Sequence, residues 1–134
     1  MAAISAFPII PDTIHGAFGT EVEYEASADI MAGQVVKVAN GKIAPATAST
    51  DAFIGVALYD IPSGSIGAVR VVGVVRVANN DASAAIAAGA LVTVGSASGV
   101  ATATTGKVLG VAIDAIAGGA TGRIALAVSL CPAS

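Results

Sequence analysis

The phrase Ser27-Ala-Asp-Ile-Met-Ala-Gly33 returns as Ser83-Ala-Ala-Ile-Ala-Ala-Gly89, with five of seven positions identical at an offset of 56. Each copy runs into a valine-rich segment, Gln34-Val-Val-Lys-Val38 and Ala90-Leu-Val-Thr-Val94. Self-similarity at this spacing points to two copies of one supersecondary unit sharing a core. The match continues downstream. Asn40-Gly41, a two-residue hairpin signal, lines up with Ser96-Ala-Ser-Gly99, and Ile43 to Thr47 lines up with Val100 to Thr104 one residue out of step. Ile54-Gly-Val-Ala-Leu58 and Leu109-Gly-Val-Ala-Ile113 then share Gly-Val-Ala at an offset of 55. A glycine inside a β run marks a bulge or a close backbone approach, which gives Gly55 and Gly110 a structural role, alongside Gly33 and Gly89 at the ends of the repeated phrase.

Gly-rich connections, Asp60 to Gly67 and Asp114 to Gly122, lead into the last strand of each half. Strict alternation puts Val69, Val71, Val75 and Val77 on one face with Gly73, and Arg70, Val72, Val74 and Arg76 on the other. In the second half Ile124, Leu126, Val128 and Leu130 share a face opposite Ala125 and Ala127. The apolar faces are the expected core. The fold class is therefore all-β, a small barrel or sandwich of two pseudo-repeated units at about 27–82 and 83–134. Residues 1–26 read as an extended N-terminal arm, because Pro8 and Pro11 bracket Phe7, Ile9 and Ile10 and cannot donate ladder hydrogen bonds. Within the arm, Glu21, Glu23 and Glu25 alternate with Val22 and Tyr24, as a strand with one solvated acidic face would.

Composition excludes several function classes. A chain of 134 residues is one domain, able to bury roughly two-thirds of its unfolded surface. Hydrophobic residues make up 55% of it and the mean hydropathy is +0.85, but no run approaches the roughly 18 apolar residues of a membrane helix. The strongest stretch, Ala68 to Ala78, is cut by Arg70 and Arg76, and three Phe and two Tyr cannot build the girdles of an outer-membrane barrel. The first residues lack the basic region of a secretory signal, so a soluble protein made in a cytoplasm is expected. Net charge is −3 and the six Lys and Arg are scattered, which argues against nucleic acid as a partner. So apolar and weakly charged a chain is expected to cover part of its surface with copies of itself or with a larger body.

Reactive groups are sparse. A hydrolytic or acyl-transfer site needs nucleophile, base and orienting group, and the one histidine, His15, lies in the arm. Asp60 and Asp114 begin turns, where Asp caps the backbone, rather than forming a catalytic carboxylate pair. The loop glycines lack the Lys-Ser/Thr of a phosphate-binding loop, and no metal-ligand spacing occurs. Cys131 is alone and reads as a small hydrophobe. No enzyme, cofactor or metal is expected.

The order of these segments, from Ala32-Gly-Gln-Val-Val-Lys-Val38 and Phe53-Ile-Gly-Val-Ala-Leu58 through Ala88-Gly-Ala-Leu-Val-Thr-Val94 to Val108-Leu-Gly-Val-Ala-Ile113, resembles that of phage capsid decoration, or head cement, proteins over residues 27–130. The resemblance implies a virion protein on the outer surface of an icosahedral head, a homotrimer that bridges neighbouring major capsid proteins. On that reading the arm residues Phe7, Pro8, Ile9, Ile10, Pro11 and Phe18 engage a capsid protein or sister subunit, and Val72, Val74, Ala125 and Ala127 form the subunit contact. The alternative is a head-fibre or adhesin-type module for a host receptor or glycan, for which Tyr24 and Tyr59 are thin material.

Overall fold

A computed structural model describes residues 19–104 and 107–130. They form nine strands: β1 (Gly19–Glu25), β2 (Val35–Ala39), β3 (Lys42–Pro45), β4 (Phe53–Ala57), β5 (Ile66–Ala78), β6 (Leu91–Val94), β7 (Val100–Thr102), β8 (Lys107–Ala112) and β9 (Thr121–Leu130). Among the described residues the helical content is the single turn Ser96–Ser98. The strands make one antiparallel sheet in the order β3-β2-β4-β5-β9-β8-β6-β7, with β1 also on β5, curled into a half-barrel. The protein is all-β, as its alternation and turn residues imply. The curl brings the ends of the path together: Ser98, in the turn before β7, donates its hydroxyl to the Ala46 carbonyl just after β3 at 2.6 Å.

Local chemistry accounts for the turns. Asn40 (φ 54°) and Gly41 (φ 78°) are both left-handed, the geometry of the two-residue turn joining β2 to β3, and Asn and Gly are the residues that accept it. Gly55 and Gly110 sit where neighbouring backbone leaves no room. A Cβ on Gly55 would overlap the Arg70 carbonyl oxygen, and one on Gly110 the Ala125 carbonyl oxygen. Gly33 (φ 88°) and Gly89 (φ 85°) end the repeated phrase in a conformation other residues adopt only with strain.

Matching contacts recur along the chain. The Gly33 N–H donates to the Ala57 carbonyl and the Gly89 N–H to the Ala112 carbonyl, both at 2.8 Å. Isolated antiparallel bridges join Ile30 to Ile61 and Ile86 to Ile116. β1 also meets β5 as the end of β5 meets β9: Val22 pairs with Val69 as Val75 pairs with Ile124, and Tyr24 with Gly67 as Val77 with Gly122. Residues 19–26, read from sequence as arm, thus belong to the sheet, and Ala26 is buried.

Two clusters fill the interior. The larger unites Val35, Phe53 and Val56 of the first half with Val75, Val77, Ile86, Val92, Ala112, Ile116 and Ile124. The smaller holds Ile30, Val36, Ile43, Ala57, Ile61 and Val69. Strict alternation along β5 therefore does not hold: Val69 and Val71 pack on the smaller cluster, Val75 and Val77 on the larger. The cause is a bulge. Thr20 pairs with Val72 but the next residue, Glu21, pairs with Arg70, so Val71 is the extra residue and the faces exchange across it. Arg70 is consequently buried beside Val56. Its guanidinium donates to the Val74 carbonyl at 2.8 Å and to the Glu21 carboxylate, spanning the bulge. The acidic face expected of β1 is correspondingly paired at Glu21 and at Glu25, whose carboxylate lies 3.2 Å from the Lys42 ammonium.

Gly55→Ala and Gly110→Ala should each lower unfolding free energy by at least about 2 kcal/mol, because a fixed backbone oxygen occupies the space the methyl needs. Gly41→Ala, with open space but a left-handed φ, should cost only about 1 kcal/mol; urea melts of the three variants check the ranking. Asp114 supplies a pH dependence. Side-chain hydrogen bonds from Arg123 and then its backbone N–H hold the Asp114 carboxyl down, from 3.8 to about 2. A lowered folded-state value means the stabilisation is complete above about 3.8 and lost as pH falls towards about 2. The Tm gap between the wild type and Asp114→Asn should close over that window.

Candidate interaction surface

The outer face of the β5·β9 pair carries the residues the sequence marked as a subunit contact. Val72 pairs with Ala127 and Val74 with Ala125, and cross-strand partners share a face. Val72 and Ala127 are exposed, and Val74 and Ala125 half-buried. The structure extends this patch in a direction the sequence did not mark. Ala125 also pairs with Val111 on β8, and Val111 with Leu91 on β6, so Val74, Ala125, Val111 and Leu91 form one row across four strands. Ile113, two residues beyond Val111, adds a further exposed apolar side chain.

The rim of the patch is charged. Arg76 and Arg123 are direct cross-strand partners, a like-charged juxtaposition that costs stability unless neutralised. Asp114 neutralises one of them: Arg123 donates to its two carboxylate oxygens at 3.0 and 2.8 Å. Arg76 donates to the Thr121 hydroxyl at 3.4 Å.

Three further acids serve the backbone. Asp60 accepts the Ala32 N–H at 2.8 Å and Asp29 the Ser63 N–H at 2.8 Å, clamping the connector before β2 to the loop before β5. Asp51 accepts the Thr47 and Ala48 N–H groups, which with Lys37 nearby holds its carboxyl below the usual range. Among the described residues no group of three His, Cys, Asp or Glu is placed to hold a metal ion, and no helix is long and apolar enough to cross a membrane. A cleft of about 380 Å³ lies between the connector at Ala32 and Gly33, the end of β4 and Val75–Ala78. Its lining residues are mostly Ala, Val and Leu58, with Arg76 as the charged group.

Of the residues singled out from sequence, Val72, Val74, Ala125 and Ala127 come together on one face, and Gly33, Gly55, Gly89 and Gly110 occupy turn and close-approach positions. Phe7, Pro8, Ile9, Ile10, Pro11, His15, Phe18 and Cys131 lie outside the described residues. Leu91 and Val111 were not marked from the sequence; the pairing row across β5, β9, β8 and β6 brings them onto the face of Val74 and Ala125.

The architecture has a relative among solved structures. The base of the head fibre gp8.5 of bacteriophage phi29 matches with a TM-score of 0.62 at 19% identity, over 81% of this chain and 93% of that one. At that identity the likeness is one of fold. No curated protein matches the chain. The model of the phage cement protein family matches residues 15–128, which takes in β1, both halves and the exposed row. With most of its length covered by that match, the chain belongs to the phage cement protein family, as a structural component of phage heads.

Proposed function

We propose that this protein binds the outer surface of an assembled phage head and cements neighbouring major capsid proteins, self-associating, as a homotrimer, through the outer face of β5·β9. The observation that carries the reading is the family match over residues 15–128. The chemistry is consistent with it: an apolar, weakly charged face offers shape and contact area, which a clamp needs, and Asp29, Asp51, Asp60 and Asp114 are committed to turns and ion pairs. A ligand that binds only the assembled shell stabilises that state by mass action, about 2.7 kcal/mol per site at a hundredfold excess over Kd. Many symmetric sites multiply the effect. No catalytic step, cofactor or nucleic-acid contact is part of this function.

The N-terminal segment with Phe7, Ile9, Ile10 and Phe18 is the second contact, reaching a capsid protein or a sister subunit, in the manner of extended segments that add to a partner's sheet edge. A second reading, a base that carries a host-binding module, is favoured by the fold likeness to the phi29 head-fibre base. It predicts a glycan or receptor ligand for this chain or one fused to it.

Purified protein added to heads lacking it should appear by electron microscopy at three-fold positions and raise the temperature at which the heads release DNA; absence of ordered density would refute the cement role. Removing residues 2–18 spares β1, so the truncated chain should keep its Tm within a few degrees yet lose head binding. Undiminished binding would assign docking to the sheet alone. A glycan-array signal with no head density would favour the second reading.

A further inference from the structure

The exposed row of Leu91, Val111, Ala125 and Val74 lies beside the point where the chain enters the sheet. Val72 pairs with Thr20 of β1 on one edge of β5 and with Ala127 of β9 on the other, and Gly19 pairs with Gly73. Residues 1–18 lie outside the described residues, and the surroundings of Gly19 restrict where they can run.

The edge of β5 beyond Gly73 is closed. A Cβ on Gly110 would meet the Ala125 carbonyl oxygen, so that carbonyl faces β8, and alternation turns Ile124 and its partner Val75 towards each other. The carbonyls of Val74 and Arg76 therefore face the edge that β1 occupies. The first accepts from the Arg70 guanidinium at 2.8 Å, and the second lies against Gly33, where a Cβ would come within 3.8 Å of it. The inner face is closed as well, because Val75 and Val77 pack into the larger cluster. What stays open is the outer face, on which Val72 is 53%, Leu91 43% and Val111 38% exposed.

We propose that residues 14–18 of the same chain cross this outer face and cover the row, from Val74 on β5 to Leu91 on β6. Cross-strand partners share a face, so Thr20 stands with Val72 on the outer side, and a strand's period of two places Phe18 there as well, beside Val74. Continued, the period turns Phe18, Gly16 and Ile14 towards the sheet and His15 to water. The lengths agree: from Phe18 to Ile14 an extended chain covers about 13 Å, and three strand spacings from β5 to β6 make about 14 Å. So do the shapes, with Phe18 and Ile14 over the ends of the row and Gly16 over the half-buried Ala125 in its middle. On this arrangement residues 7–11, rather than Phe18, reach a partner, and Val72 and Ala127 beside the row stay free for the self-association proposed above. The inference rests on no capsid contact.

Thiol labelling and cross-linking of the full-length protein test this, in a Cys131→Ser background that removes the native thiol. The thiol introduced by Val111→Cys should react with a soluble disulfide reagent about tenfold more slowly in the full-length chain than after removal of residues 2–18, because access limits the rate. Phe18→Ser should restore the fast rate and Ile10→Ser should not. Leu91→Cys, at the more exposed end of the row, repeats the measurement should Val111→Cys melt early. A short bismaleimide should join Ile14→Cys to Leu91→Cys within one chain. It should not join Ile14→Cys to Ile66→Cys, at the far end of β5 where Glu25 pairs. Equal labelling rates with and without residues 2–18, or a rate indifferent to Phe18→Ser, would overturn the proposal. So would a cross-link formed as readily at Ile66, or one between two chains, which would assign the segment to a sister copy. These rates and cross-links are read without heads, so their failure leaves the cement role standing.

Discussion

The strand β5 is the constraint on which the molecule depends. Its thirteen residues serve both halves: Ile66 to Arg70 pair with β1 and the end of β4, and Val72 to Ala78 pair with β9. Val69 and Val75, an even number of residues apart on one continuous strand, can serve cores on opposite faces only if the faces exchange between them. The bulge at Val71 makes that exchange. Arg70 holds it, linking the Val74 carbonyl on one side to the Glu21 carboxylate on the other. A buried guanidinium is costly unless paired, and here the pairing ties β1 to the bend that lets the sheet curl.

The curl fixes what the sheet can bury. With Val69 on the smaller cluster and Val75 on the larger, the first half turns one face to its own connectors and gives its other face to the second half. Small and branched side chains suit this arrangement, because close sheet contacts such as those at Gly55 and Gly110 leave no volume for larger ones. Ile61 against Gly67 and Ile116 against Gly122 are the same economy of space under the last strand of each half. The second half has nothing within the described residues to cover its outer row, and the sheet ends with an apolar face.

That face is what a structural component of a phage head has to work with. Several charged groups serve the structure: Asp60 and Asp29 clamp a loop, Asp114 neutralises one of two facing arginines, and Arg70 braces a bulge. On the proposed function, binding energy comes from area and shape, and stabilisation of a shell would follow from selective affinity for its assembled form.

The sequence by itself determined the all-β class, the Asn40-Gly41 hairpin, the close approaches at Gly55 and Gly110 and the outward position of Val72 and Val74, because alternation, turn conformation and the lack of a Cβ are properties of a residue and its neighbours. It also carried the family resemblance, through the order of its segments. Only the tertiary structure decided that β1 joins the sheet, that Val69 and Val75 serve different cores, that Arg70 is buried, and that Leu91 and Val111 are exposed where Val35 and Val56 are not. A bulge is a property of two paired strands, and burial is a property of whatever the sheet is laid against. Val35 and Val56 are therefore covered by the other half of the chain, while Leu91 and Val111, which align with them in sequence, are left facing out.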